Sequence, residues 1–100
     1  MADWLGLKDK VVVVTGAVGG MGTHFCEAFA EHGAKLVLVD IKKDAIQTAA
    51  KKLADQYGVQ TLAVATDTTD EDEVDAAVQA VVAEFGKVDI LVNTAAILRF

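Results

Sequence analysis

The stretch TGAVGGMG, Thr15 to Gly22, holds four of the chain's eight glycines. It stands between a run of valines, Val11 to Val14, and a segment of helical period. A helix N-terminus carries free N–H groups and partial positive charge, so it binds phosphate wherever backbone can approach closely and no side chain intervenes. On this reading Gly16 lets the strand turn sharply, Gly20 lets the helix start come near a pyrophosphate, and Gly22 lets the helix pack tightly on the sheet. Gly19 adds freedom only. The same glycines also suit a tight strand-to-helix turn that binds nothing. Their spacing is G-x-x-x-G-x-G, longer than the G-x-G-x-x-G dinucleotide fingerprint.

Asp40 is the second residue of chemical interest. It closes an apolar run about 20 residues beyond the glycines, where an acidic side chain can accept hydrogen bonds from both hydroxyls of an adenosine ribose. The same carboxylate repels a 2′-phosphate, so the expected cofactor is NAD rather than NADP. An Asp at a strand end also starts turns, which is the alternative role for this position. Lys42 and Lys43 follow on what reads as a solvated loop.

These residues need elements to hold them. Lys10 to Val14 is continuous and β-branched, as in a strand covered on both faces. From Met21 to His32 an apolar or small stripe recurs at Gly22, Phe25, Cys26, Phe29 and Ala30, ended by Gly33 at a C′ position. Lys35 to Val39 repeats the buried-strand pattern. Ile46, Ala49, Ala50, Leu53, Ala54 and Tyr57 mark a second helix before Gly58, and Gln60 to Thr66 reads as a third strand. Thr69 or Asp70 can cap a third helix whose first turn is acidic, Asp70 to Glu73, and whose apolar face is Val74, Ala77, Val78, Val81, Val82 and Phe85, with Gly86 closing it. Val88 to Val92 is a fourth strand. The order βαβαβαβ implies an α/β fold: a parallel sheet with right-handed crossovers and helices on its faces.

Composition removes several function classes. One hundred residues make a single domain, residues 1–100. A net charge of −6 opposes phosphate backbones and anionic membranes, so no nucleic acid and no membrane partner is expected. No apolar run approaches the roughly 20 residues of a membrane span, and the segment before the first strand is too short for a signal peptide. With a single cysteine, Cys26, the chain is expected to be soluble and cytoplasmic. His24, Cys26 and His32 cannot converge on one metal from a helix, and the acidic run lacks the alternation and Gly of a calcium loop, so no metal site is expected. Trp4 is expected to pack at the end of the sheet.

Taken together, the chain resembles the short-chain dehydrogenases/reductases. VVVVTGAVGGMG is similar to that family's T-G-x-x-x-G-x-G cofactor loop, Asp40 to its ribose position, Asp67 to the Asp after its third strand, and DILVNTAA to its D-x-L-V-N-N-A-G segment. The resemblance implies a Rossmann-like sheet of order 3-2-1-4, the N-terminal half of the full fold. It implies an oxidoreductase that transfers hydride between NAD(H) and a small alcohol or carbonyl substrate. It places Met21 near the pyrophosphate, Ile41 beside the adenine, and Asp67 with Thr68 at the adenine edge. Asn93 would brace the central sheet, while Ala95 and Ala96 would lie against the cofactor. Thr94 and Ala96 depart from the family's Asn and Gly.

The family's catalytic Ser and Tyr-x-x-x-Lys lie beyond the fourth strand, and this chain has no serine and one tyrosine, Tyr57, followed four residues on by Thr61. No catalytic residue is therefore expected within it. It is expected to be the N-terminal portion of a dehydrogenase, truncated after the fourth strand. The alternative is a half-domain that binds NAD or ADP-ribose, or only folds, without catalysis. The fourth strand, central in the family, would then be an edge inviting self-association through Asp89 to Asn93.

Overall fold

The computed structural model describes residues 6–93 and the backbone of 96–99. The elements run β1 (Val11–Thr15), α1 (Gly20–Glu31), β2 (Lys35–Asp40), α2 (Lys43–Tyr57), β3 (Thr61–Ala65), α3 (Glu71–Phe85), β4 (Ile90–Asn93) and β5 (Ala96–Arg99). Successive strand side chains point to opposite faces, and this alternation sorts the valines of β1 into separate cores. Val12 and Val14, with Leu36 and Leu38 of β2, pack under α1 and α2 against Cys26, Ala30, Ile46, Ala50 and Leu53. Val11 and Val13, with Val37 and Val39, face the other way and meet Val81 of α3. Runs with no polar residue are thus explained by burial on both faces, as parallel sheets require.

The strand order is β3-β2-β1-β4-β5. β1 pairs in parallel with β2, Val13 opposite Val37, and with β4, Val13 opposite Leu91. β3 joins β2 in parallel, so the expected 3-2-1-4 order with helices on both faces is found. The expectation that β4 would be an open edge is corrected. β5 lies antiparallel beside it, with Asn93 opposite Ala96 and Ile90 opposite Arg99. The backbone groups of β4 that would have invited another chain are paired within this one, which removes the basis for self-association through Asp89 to Asn93. Trp4 lies outside the described residues.

The two faces are unequally covered. α3 contributes the buried residues Ala77 and Val81, while Val78 and Val82 remain about half exposed at 51% and 48%. They border a groove of about 630 Å³ that also takes in Val13, Val74, Val88 and Leu91. No helix among the described residues is long and apolar enough to cross a membrane.

Of the two candidate caps for α3, Asp70 is the one used. Its Oδ1 accepts the backbone N–H of Asp72 at 3.0 Å and of Glu73 at 3.3 Å. Gly58 and Gly86 end α2 and α3 in the left-handed conformation, with φ of 68° and 78°. Asp70→Ala is expected to lower the unfolding free energy by about 1 kcal/mol, the usual worth of such a cap, read as a reduced urea midpoint at unchanged slope.

Candidate functional site

Parallel pairing brings the carboxyl ends of β1 to β4 to one edge of the sheet, where open α/β sheets bind their ligands. Thr15 lies opposite Val39, Asp40 opposite Ala65 and Val14 opposite Val92. The chain therefore leaves β1, β2 and β3 at Gly16, Ile41 and Thr66 within reach of one another. Two backbone bonds fix these exits: Ala17 N–H donates to the Val39 carbonyl at 3.2 Å, and Thr66 N–H donates to the Asp40 carbonyl at 3.0 Å.

The glycine loop is shaped by steric demands visible at single positions. Gly16 has φ of +65°, a left-handed turn that directs the chain from β1 toward α1. A Cβ on Gly22 would overlap the Gly16 carbonyl oxygen and stand 2.9 Å from the Gly16 carbonyl carbon and 3.0 Å from Ala17 Cα. Gly22 therefore lets α1 pack tightly on the loop that leaves β1, on the same buried face of the helix as Cys26 and Ala30. The reason is that the loop folds back under the first helical turn. A Cβ on Gly20 would have nothing within 4 Å. The first intrahelical bond runs from Thr23 N–H to the Gly19 carbonyl at 2.9 Å, and no side chain caps the helix at Gly19. The amides of Gly20, Met21 and Gly22 precede that bond, at the end of the helix that favours anions. Met21 stands beside them, 59% exposed.

Gly16, Val39, Asp40, Ile41, Thr66, Asp67 and Thr68 line one pocket of about 210 Å³. The structure thus brings together Gly16, Asp40, Ile41, Asp67 and Thr68 as the sequence suggests. Asp40 also starts a turn: its Oδ1 accepts the Lys42 N–H at 3.1 Å. Both roles proposed for this residue are compatible, because a carboxylate has acceptor sites to spare. Ile41 is exposed at the rim. Asp67 Oδ1 accepts from the Thr69 hydroxyl at 2.6 Å and the Thr69 N–H at 2.9 Å. Those two bonds hold the Asp67 carboxyl below the usual carboxylate range.

Asn93 stands at the end of β4 and lines the adjoining groove with Thr15, Thr66 and Thr68. Ala95 lies outside the described residues, and Ala96 is in β5. Residues that sequence reasoning did not assign to the site are Thr66, 4% exposed at the end of β3, and Thr69 and Glu73 behind Asp67. The D-x-T spacing at Asp67 and Thr69 is a known local signal for a side chain that hydrogen-bonds its neighbour's backbone.

The remaining reactive side chains are placed elsewhere. Tyr57 packs against the core under α2. Cys26 is buried there too, its thiol pushed up to about 12 by loss of solvent and then by Glu27. Among the described residues no group of three or more His, Cys, Asp or Glu is arranged to hold a metal ion.

Comparison with known proteins places this edge in context. The chain is 45% identical over 91 residues to galactitol 2-dehydrogenase of Agrobacterium fabrum, covering 91% of this chain and 34% of that protein. The structure superposes on L-sorbose reductase of Gluconobacter frateurii, solved with NADPH and L-sorbose, with a TM-score of 0.81 and 42% identity over 84% of this chain and 32% of that one. It superposes on NAD+-bound xylitol dehydrogenase with a TM-score of 0.80 and 34% identity over 85% of this chain and 32% of the other. The chain thus spans about a third of the length of the relatives it matches. The model of the short chain dehydrogenase family matches residues 10–100, the glycine loop and both pocket aspartates included, and the chain belongs to that family.

Proposed function

We propose that this chain is the NAD-binding part of an oxidoreductase that moves hydride between NAD(H) and an alcohol or carbonyl substrate. The observation that carries the reading is the position of Asp40 in one pocket with Gly16, Ile41, Asp67 and Thr68. That pocket adjoins the left-handed turn at Gly16 and the start of α1, where no side chain caps the helix and a Cβ on Gly20 would meet nothing within 4 Å.

The residues fit a dinucleotide on physical grounds. The Gly20 and Met21 amides offer donors to a pyrophosphate, and the open space over Gly20 admits it. Asp40 accepts from the ribose hydroxyls while its charge opposes a 2′-phosphate. Asp67 and Thr68 meet the adenine edge and Ile41 its face, while Asn93 braces the end of β4 beside the site. The bound cofactor supplies the hydride chemistry. This chain's own residues bind and orient it, and no serine or Tyr-x-x-x-Lys is present to move a substrate proton. The 100 residues alone are therefore proposed to bind without turning over. NAD is a metabolite of the cell interior, which supports a cytoplasmic place of work.

Isothermal titration with NADH, NADPH and ADP-ribose tests this. NADH is expected to bind more tightly than NADPH. Asp40→Ala is expected to weaken NADH about tenfold, the loss of charge-assisted hydrogen bonds, and to narrow the gap between the two cofactors. Equal affinity of the wild type for NADH and NADPH would overturn the assignment of NAD. Oxidation of NADH by ketones in the presence of this chain alone would overturn the proposed inactivity.

A further inference from the structure

The described residues include two that carry sulfur, Met21 and Cys26, and their surroundings are opposite. Cys26 is buried under α1, and loss of solvent first, then Glu27, pushes its thiol up to about 12. Near neutral pH almost none of it is the thiolate that reacts with oxidants. Met21, earlier on the same helix, is 59% exposed. A thioether needs no deprotonation to react, so its exposure governs its encounter with an oxidant. The fold shields one sulfur and presents the other. Met21 is also the second residue of α1, beside amides that precede the first intrahelical bond. No side chain caps that end, and the Thr23 hydroxyl donates instead to the Gly19 carbonyl at 2.9 Å. Helical side chains lean toward the N-terminus of their helix, which puts the end of Met21 on the side of those amides.

We propose that Met21 is a site of oxidation by hydroperoxides, and that its conversion to the sulfoxide weakens dinucleotide binding. The effect on binding rests on the nucleotide reading of the pocket. In the reaction a sulfur lone pair attacks a peroxide oxygen, and the O–O bond breaks as the S–O bond forms. The other oxygen leaves as water from hydrogen peroxide, or as an alcohol from an organic hydroperoxide. Sulfur gives up two electrons and the peroxide takes them. The product carries a polar S–O group, an acceptor with no proton to give, where the unmodified residue has an apolar thioether. It competes with a pyrophosphate oxygen for the Gly20 and Met21 amides, and its own oxygen repels that phosphate.

The test treats the folded full chain with hydrogen peroxide, maps the added oxygen by peptide mass spectrometry, and titrates NADH after the peroxide is removed. Met21 is expected to gain an oxygen while Cys26 stays unmodified. NADH affinity is expected to fall about tenfold, the worth of a charge-assisted hydrogen bond. Methionine sulfoxide reductases acting on both epimers are expected to restore it, whereas dithiothreitol, which reverses cysteine products, is not. Met21→Leu is expected to bind NADH equally before and after peroxide, whatever its starting affinity, which removes Met1 as the cause. ADP-ribose at ten times its dissociation constant is expected to slow oxidation of Met21 about tenfold, the factor by which mass action depletes the free chain.

The outcomes separate cleanly. Oxidation of Cys26 ahead of Met21, recovery of affinity with dithiothreitol alone, or an oxidised chain that binds NADH as the untreated one does overturns this inference and leaves the nucleotide site standing. An equal loss of affinity in peroxide-treated Met21→Leu overturns it too, since the damage would then lie elsewhere. So does an oxidation rate at Met21 that ADP-ribose, once shown to bind, leaves unchanged. A wild type that binds no NADH before treatment overturns the nucleotide reading, and the inference with it.

Discussion

Gly22→Ala is expected to lower stability by about 3 kcal/mol, the upper part of the usual range for forcing an atom into a packed site, and to abolish measurable binding of NADH. The added methyl would overlap the Gly16 carbonyl oxygen and crowd its carbon and Ala17 Cα. All of these are backbone atoms, so no side chain can swing aside to make room. Either the turn after β1 opens or α1 slides away from it. Both movements disturb the Ala17 bond to Val39 and the amides of Gly20 and Met21 together. Gly20→Ala is the matched control. Its Cβ meets nothing within 4 Å, so the fold tolerates it and gains up to about 0.5 kcal/mol from the less flexible unfolded chain. Binding should nonetheless weaken about tenfold if backbone approach at Gly20 is what admits the pyrophosphate. Urea unfolding and NADH titration of the two variants therefore part company: one loses stability and binding, the other loses binding alone. A Gly20→Ala variant that binds NADH as the wild type does would show that the open space there serves no ligand.

The different fates of these two glycines mark where sequence reasoning stops. The elements were legible because their causes are local. Continuous β-branched runs such as Val11 to Val14 can be buried on both faces, helical stripes such as Ile46, Ala50 and Leu53 have one place to go, and a glycine after each stripe ends it. β5 was not legible. Ala96–Arg99 is a short run with no pattern of its own, and what makes it a strand is the neighbouring edge of β4. In the site, Gly16, Asp40 and Asp67 stand out because each closes or follows a strand, a position that order along the chain reveals. The partner of Gly22 does not stand out, because contact with Gly16 depends on how the loop folds back. Thr69 shows a subtler limit. Thr69 and Asp70 are equally good caps on paper, and the choice is made by Asp67, whose carboxylate engages the Thr69 hydroxyl and leaves the helix to Asp70.

The second large effect is expected at the opposite end of the sheet from the pocket, at Asp89. Its Oδ2 accepts the Val11 N–H at 2.8 Å, while its own N–H donates to the Val11 carbonyl at 2.9 Å. Together these bonds tie the start of β1 to the residue just before β4. Lys87 Nζ approaches the same oxygen at 3.1 Å. Val11 is fully buried while the Asp89 side chain is 22% exposed, so the carboxylate shields this N–H from most of the solvent. Asp89→Ala is expected to cost about 2 kcal/mol, the penalty for leaving a buried donor unpaired, read as a lower urea midpoint near neutral pH. Acid should act on the same contact. The Val11 N–H first, and Lys87 after it, hold the Asp89 carboxyl below the usual Asp range against the opposing effect of burial. A carboxyl depressed in the folded state contributes stability that is complete above its unfolded value, about 3.9, and is lost as pH falls through its folded value. Asp89→Asn keeps an oxygen for Val11 but cannot titrate, so its stability should fall less steeply below about pH 4 than that of the wild type. Asp67, also depressed, accounts for part of what remains. If Asp89→Asn follows the wild-type acid limb at every pH, the carboxylate at the foot of β4 is not a source of the acid sensitivity, and the cost of Asp89→Ala belongs to the lost hydrogen bond alone.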